Sequence, residues 1–187
     1  VAGADIAYDP RQDRLVAAIL VFRLPGLDLV EITQVARKVR FPYVPGLLSF
    51  REAPPLLEAW DRLRMKPDLL ICDGQGIAHP RGLGLASHLG LLTGVATIGC
   101  AKSRLVGLHD AVGSARGDRT PLRHEGRVVG AVVRTRSHVR PLYVSPGHLI
   151  GIPAATRWVL RLCRGYRLPE PTRLADRFVG SVLRGGN

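Results

Sequence analysis

Cysteine, lysine and acidic side chains are all scarce in this sequence, and each shortage excludes something. The three cysteines, Cys72, Cys100 and Cys163, form no CxxC spacing and have no histidine pair beside them. Neither a disulfide framework nor a zinc site is supported, and a reducing cytoplasmic setting fits best. Lysine occurs only at Lys38, Lys66 and Lys102, so nearly all of the 27 basic residues are arginine, against 15 acidic ones and a net charge of +12. Such a surplus points to a polyanion such as nucleic acid, although an arginine-rich proteome is the plainer alternative on composition alone. Arginine's planar fork suits phosphate oxygens. Long apolar runs are also missing. Leu83–Ala101 carries no charged residue, but Gly84, Ser87, His88, Gly90, Thr93, Gly94, Thr97 and Gly99 interrupt it. It reads as a helix followed by a buried strand, so no membrane partner is expected. No signal-peptide pattern is visible either.

What is present suffices for a core. With 46% hydrophobic residues among 187, the chain fits one domain over residues 1–187, with a monomer as the default state. It begins with Val1 and enters strand-like sequence at once, which reads as a partial chain. Val1–Tyr8, Leu15–Phe22 and Leu29–Ala36 predict three antiparallel strands separated by Asp9-Pro10 and Pro25-Gly26 turns. Ser49–Arg64 has helical spacing, and Asp68–Asp73 reads as a short apolar strand. A glycine-rich loop, Gly74–Pro80, leads to a helix near Leu83 and a strand at Val95–Gly99. Residues 108–125 show no periodicity and read as a surface excursion. A strand pair follows at Arg127–Arg134 and Arg140–Ser145, then helices at Pro153–Cys163 and from Thr172. Three antiparallel strands followed by alternating helices and strands imply an α/β fold with a mixed sheet flanked by helices.

Because acidic residues are few, a carboxylate inside an apolar strand is informative. Asp5 sits within Val-Ala-Gly-Ala-Asp-Ile-Ala-Tyr, and Asp73 ends Leu-Leu-Ile-Cys-Asp. Burying an unpaired carboxylate is costly, so a cation is expected nearby. If the first strand neighbours the strand at 68–73, the two carboxylates converge as hard oxygen ligands suited to Mg²⁺ or Mn²⁺, for metal-assisted phosphodiester cleavage. A turn cap is the plainer role for Asp73. Glu52 has two readings. Ser49-Phe-Arg-Glu52 has the form of a capping box, yet a helix start beside the sheet would equally project Glu52 toward the aspartates. His79 stands six residues beyond Asp73 and suits proton transfer. Lys102, after a strand end, suits a phosphate. Pro42-Tyr43-Val44-Pro45 fixes the backbone around an aromatic ring that could stack on a base or fill a gap in a duplex, although a tyrosine tucked over a helix end is commoner.

Together these segments resemble endonuclease V, a family that nicks nucleic acid at deaminated adenine. The resemblance rests on Val1–Asp5, Pro42–Glu52, Asp73–Arg81, Gly99–Lys102 and Gly165–Arg173, which span nearly the whole chain. It implies a ribonuclease H-like fold. It further implies that Asp5, Asp73, Glu52 and Asp176 hold Mg²⁺, with Mn²⁺ able to substitute, and that Asp5, Glu52, Asp73, His79 and Lys102 form the catalytic set. Tyr43 would be the wedge that fills the space of a flipped base, and Gly46, Leu48, Gly74, Gly76 and Leu105 would line the pocket receiving it. The implied activity is hydrolysis of the second phosphodiester 3′ to inosine, in DNA or RNA, leaving a 3′-hydroxyl and a 5′-phosphate. Family members usually carry a helical segment before the first strand, and this sequence starts at the strand. Two other readings stay open: a ribonuclease H-like nuclease with a different target, and a basic nucleic-acid-binding module with a decayed site.

Overall fold

Among the described residues every strand joins a single eight-stranded mixed sheet. The computed structural model describes residues 1–39, 44 and 47–185. In chain order the elements are β1 (Ala2–Asp9), β2 (Arg14–Arg23), β3 (Asp28–Lys38), α1 (Leu48–Asp61), β4 (Leu69–Cys72) and α2 (Leu85–Thr93). After these come β5 (Ala96–Ala101), β6 (Arg119–His124), β7 (Arg127–Val133), β8 (Leu142–His148), α3 (Ile152–Leu162) and α4 (Glu170–Leu183). The strand order is β3-β2-β1-β4-β5-β8-β7-β6. The three opening strands pair antiparallel as expected, β1 and β4 are parallel neighbours, and β4 pairs parallel with β5.

The core has two sides because residues alternate across each strand. Ala2, Ala4, Leu70 and Cys72 point to one face with Leu56 and Trp60 of α1 and Leu89 of α2. Val16, Ala18, Leu20 and Phe22 point to the other, against Ala175 and Val179 of α4. Ile71, Ile98 and Val144 share that second face with Val159 and Leu162 of α3. Helices therefore cover both faces, which is why β2 is an almost unbroken apolar run, Leu15–Phe22, rather than an alternating one.

Strand β6 departs from the sequence reading, which left 108–125 as an excursion. Its alternation is real, with Thr120 and Leu122 buried between exposed Arg119, Pro121 and Arg123. It lies at the sheet edge, where proline is tolerated, and its arginines mask the pattern. α4 begins at Glu170, two residues before Thr172, because Pro171 occupies the first helical turn, where its missing N–H costs nothing. No helix among the described residues is long and apolar enough to cross a membrane.

Candidate active site

Strand register brings the first two carboxylates together. Ala4 pairs with Cys72, so Asp5 on β1 stands level with Asp73 just past β4, and the Asp73 N–H donates to the Ala4 carbonyl at 3.3 Å. The third carboxylate arrives through a close approach. A Cβ on Gly3 would lie 2.2 Å from the Pro171 carbonyl, so only glycine lets the start of α4 rest on β1. Gly3 and Asp5 share a strand face, and Asp176 lies one helical turn beyond Thr172. One ligand atom each from Asp5, Asp73 and Asp176 lies within 4.8 Å of the others.

Lys102 sits among these carboxylates. Its ammonium is 2.5 Å from Asp73 Oδ2 and 2.9 Å from Asp176 Oδ2. Burial works against the lysine's charge, but Asp73 and then Asp176 outweigh it and hold the pKa above its ordinary value. One lysine does not offset the acidic set. Burial, with Asp73 adding, pushes the Asp5 carboxyl up to about 8. Burial raises Glu52 to about 7, opposed by Arg51 and reinforced by Asp73. Three hard oxygen donors this close, with the Asp5 and Glu52 carboxyls raised by burial and by Asp73, fit a small divalent cation.

Glu52 reaches this group from α1. The capping box does not form: the helix starts after Leu47, no side chain caps it, and Ser49 is inside the first turn. Glu52 instead lines a cleft of about 470 Å³ that also contains Asp5, Asp73, His79, Lys102, Leu48, Gly74 and Leu105. Gly74 has φ 154°, a conformation that favours glycine where the chain leaves β4. Leu48 and Leu105, 41% and 54% exposed, are apolar walls at its mouth. Gly76 lies elsewhere. A Cβ there would be 1.9 Å from the Pro146 carbonyl, and its N–H donates to Ser145 Oγ at 2.8 Å, so it fastens the loop to β8. Tyr43 and Gly46 lie outside the described residues.

His79 is buried, and burial, helped by Arg81, lowers its pKa. Its Nδ1 accepts the Arg81 backbone N–H at 3.2 Å, which puts the proton of the neutral ring on Nε2.

Two residues that sequence reasoning passed over hold the site in shape. Buried Gln75 donates from Nε2 to the Ser103 carbonyl at 3.1 Å and so ties the glycine loop to the segment bearing Lys102. Arg167 donates to the carbonyls of Lys102 and Pro141 at 2.7 and 2.8 Å. Both sit inside motifs that carry the resemblance, but nothing local marks their partners, which lie 28 and 65 residues away.

Known proteins of one family are similar to this chain over nearly its whole length. The sequence model of endonuclease V matches residues 1–177. The chain belongs to the endonuclease V family. It is 56% identical to endonuclease V of Gloeobacter violaceus over 187 residues, covering 98% of this chain and 76% of that one. The crystal structure of endonuclease V from Streptomyces avermitilis superposes with a TM-score of 0.94 at 45% identity, covering 99% of this chain and 81% of that one. The Ciona intestinalis endonuclease V, solved with a 24mer DNA containing an inosine followed by a ribo-adenosine, superposes with a TM-score of 0.85 at 26% identity. That match covers 98% of this chain and 85% of the Ciona chain. The protein is thus a nuclease of mixed α/β fold, similar to enzymes that bind inosine-containing DNA.

Proposed function

We propose that this endonuclease V family member is a Mg²⁺-dependent endonuclease, with Mn²⁺ able to substitute, that hydrolyses the second phosphodiester 3′ to inosine. The observation that carries the reading is the convergence of Asp5, Asp73 and Asp176 within 4.8 Å, with Lys102 among them. Residues 1–187 would act as one catalytic domain, as a monomer in the cytoplasm, on inosine-bearing DNA or RNA.

Asp5, Asp73 and Asp176 would hold the ion, with Glu52 beside them. When bound, it supplies Lewis acidity at the phosphoryl group and lowers the pKa of the attacking water. Lys102 binds the scissile phosphate and offsets charge that develops there. His79 presents its Nε2–H to an oxygen of the reacting group, either as a hydrogen-bond donor or in proton transfer. The target base lies against Gly74 and between Leu48 and Leu105, in a pocket to which the family resemblance also assigns Gly46, with Gly76 fixing the loop from behind. Tyr43 takes the place that the base vacates. Hypoxanthine differs from adenine by a carbonyl and a ring N–H on its Watson–Crick edge, which the backbone groups of a glycine loop can read.

Matched DNA and RNA oligonucleotides with inosine or adenosine at one position test this, with Mg²⁺ and with EDTA. A Mg²⁺-dependent nick one nucleotide past inosine, with a 5′-phosphate on the downstream product and no nick at adenosine, is expected. Cutting that ignores inosine, or persists in EDTA, overturns the reading.

A further inference from the structure

Lys102 borders a second recess as well as the carboxylate cleft. We propose that this recess is a nucleotide subsite holding the residue immediately 3′ of the cut, its base stacked on Tyr166 and its phosphate met by Lys102, Arg167 and Arg173. The inference rests on the nuclease reading above.

The recess has a volume of about 220 Å³ and is lined by Lys102, Tyr166, Arg167, Leu168 and Arg173. Tyr166 lies in the turn between α3 and α4 with its side chain 51% exposed. The Arg173 guanidinium stands 4.1 Å from the centre of its ring. Arg173 is itself fixed, since Nε and Nη2 both donate to Glu170 Oε2, at 3.1 and 2.6 Å. A ring braced by a guanidinium that is already immobilised is a preset platform, so a base stacking on it needs little further ordering.

Arg167 supplies the back of the recess. Its Nη2 is used on the carbonyls of Lys102 and Pro141 and its Nε is enclosed by the protein, so Arg167 contributes to the recess through its charge rather than through those donors. Lys102 is paired with Asp73 and Asp176, but Arg167 and Arg173 against the single carboxylate of Glu170 still leave the recess positive, and guanidinium donors suit phosphodiester oxygens.

Continuity with the cleft identifies the occupant. A strand whose inosine lies against Gly74 and whose scissile phosphate lies at Lys102 must continue past that lysine. In the adjoining recess stand an aromatic ring and two arginines, the combination that single strands use for stacking and backbone contact. Neither Tyr166 nor Arg173 is among the described residues that line the carboxylate cleft, and Arg173 is paired with Glu170, so their contribution belongs to binding rather than to the chemical step.

The test uses inosine oligonucleotides that are intact or lack only the base immediately 3′ of the cut, with the unaltered protein, Tyr166→Ala and Tyr166→Phe. Tyr166→Ala is expected to raise KM about 10-fold with kcat little changed, and removing the base should do the same to the unaltered protein. Combining the two should add nothing, and Tyr166→Phe should behave as the unaltered protein. The base-removal arm needs no variant and is immune to a folding defect. Nicking in which base removal leaves KM unchanged, or weakens Tyr166→Ala as much as the unaltered protein, overturns the subsite alone. Failure of the unaltered protein to nick inosine strands overturns the nuclease reading and the subsite together.

Discussion

Two recesses of opposite character meet at Lys102. On one side Asp5, Glu52 and Asp73 face a cleft of about 470 Å³, with Asp176 completing the acidic cluster; on the other, Arg167 and Arg173 face a smaller one of about 220 Å³. The carboxylates are few but concentrated, brought from β1, β4, α1 and α4 to one end of the parallel strands. The arginines are many but dispersed, and several serve the fold. Arg116 donates to the Leu160 carbonyl, Arg134 to the carbonyls of Val112, Gly113 and Val139, and Arg164 to those of Pro25 and Gly26. Net charge therefore overstates how much of this surface is there for a polyanion. What bears on function is the place where a cation borders the acidic cluster.

Substitutions on either side of Lys102 should separate these roles. Lys102→Ala strikes both recesses at once. It should lower kcat by about 10²-fold, the scale of losing one donor to developing charge, and also weaken strand binding. Single-turnover rates and a binding titration on the same inosine duplex check this, and an unchanged rate would return Lys102 to the role of a surface ion pair. A smaller effect sharpens the contrast through pH. The Asp5 and Glu52 carboxyls titrate near 8 and 7 in the fold, above the ordinary value near 4. Between those limits the folded state binds more protons than the unfolded chain, so metal-free stability should fall as pH rises from about 4 to about 8. Asp5→Asn should flatten part of that slope and stabilise the metal-free protein at pH 8 by about 2 kcal/mol. Arg173→Gln, on the cationic side, should leave the slope unchanged. Thermal melts in EDTA across this range decide it, and a slope that Asp5→Asn does not alter would remove the strain assigned to the acidic cluster. Far from both recesses in chemistry, Gly76→Ala should cost about 2 kcal/mol through its contact with Pro146, seen as a lower melting temperature.

Sequence made some of this arrangement plain and hid the rest for identifiable reasons. The opening strands could be read because β2 is covered on both faces and stays apolar throughout. That Asp5 and Asp73 would meet depended on β1 adjoining β4, a long-range pairing that no local pattern reveals. Strand β6 escaped because an edge position tolerates Pro121 and exposed arginines. The Ser49–Glu52 pattern fitted two roles because a capping box is written in residue types, whereas α1 starts after Leu47 and leaves Ser49 inside its first turn. Gly76 is assigned to the pocket by the family resemblance alone, and its close approach to Pro146 of β8, 70 residues along the chain, has no local signal. Arg167 and Gln75 bind backbone carbonyls, which carry no residue-specific signal at all.

The most direct test of the central claim compares the unaltered protein with Asp73→Ala on one inosine-bearing duplex in Mg²⁺, measuring binding and nicking separately. Asp73 contributes to the acidic cluster and pairs with Lys102, so its loss should lower nicking by about 10³-fold or more while the duplex still binds. Undiminished nicking by Asp73→Ala would contradict the assignment of catalysis to this cluster.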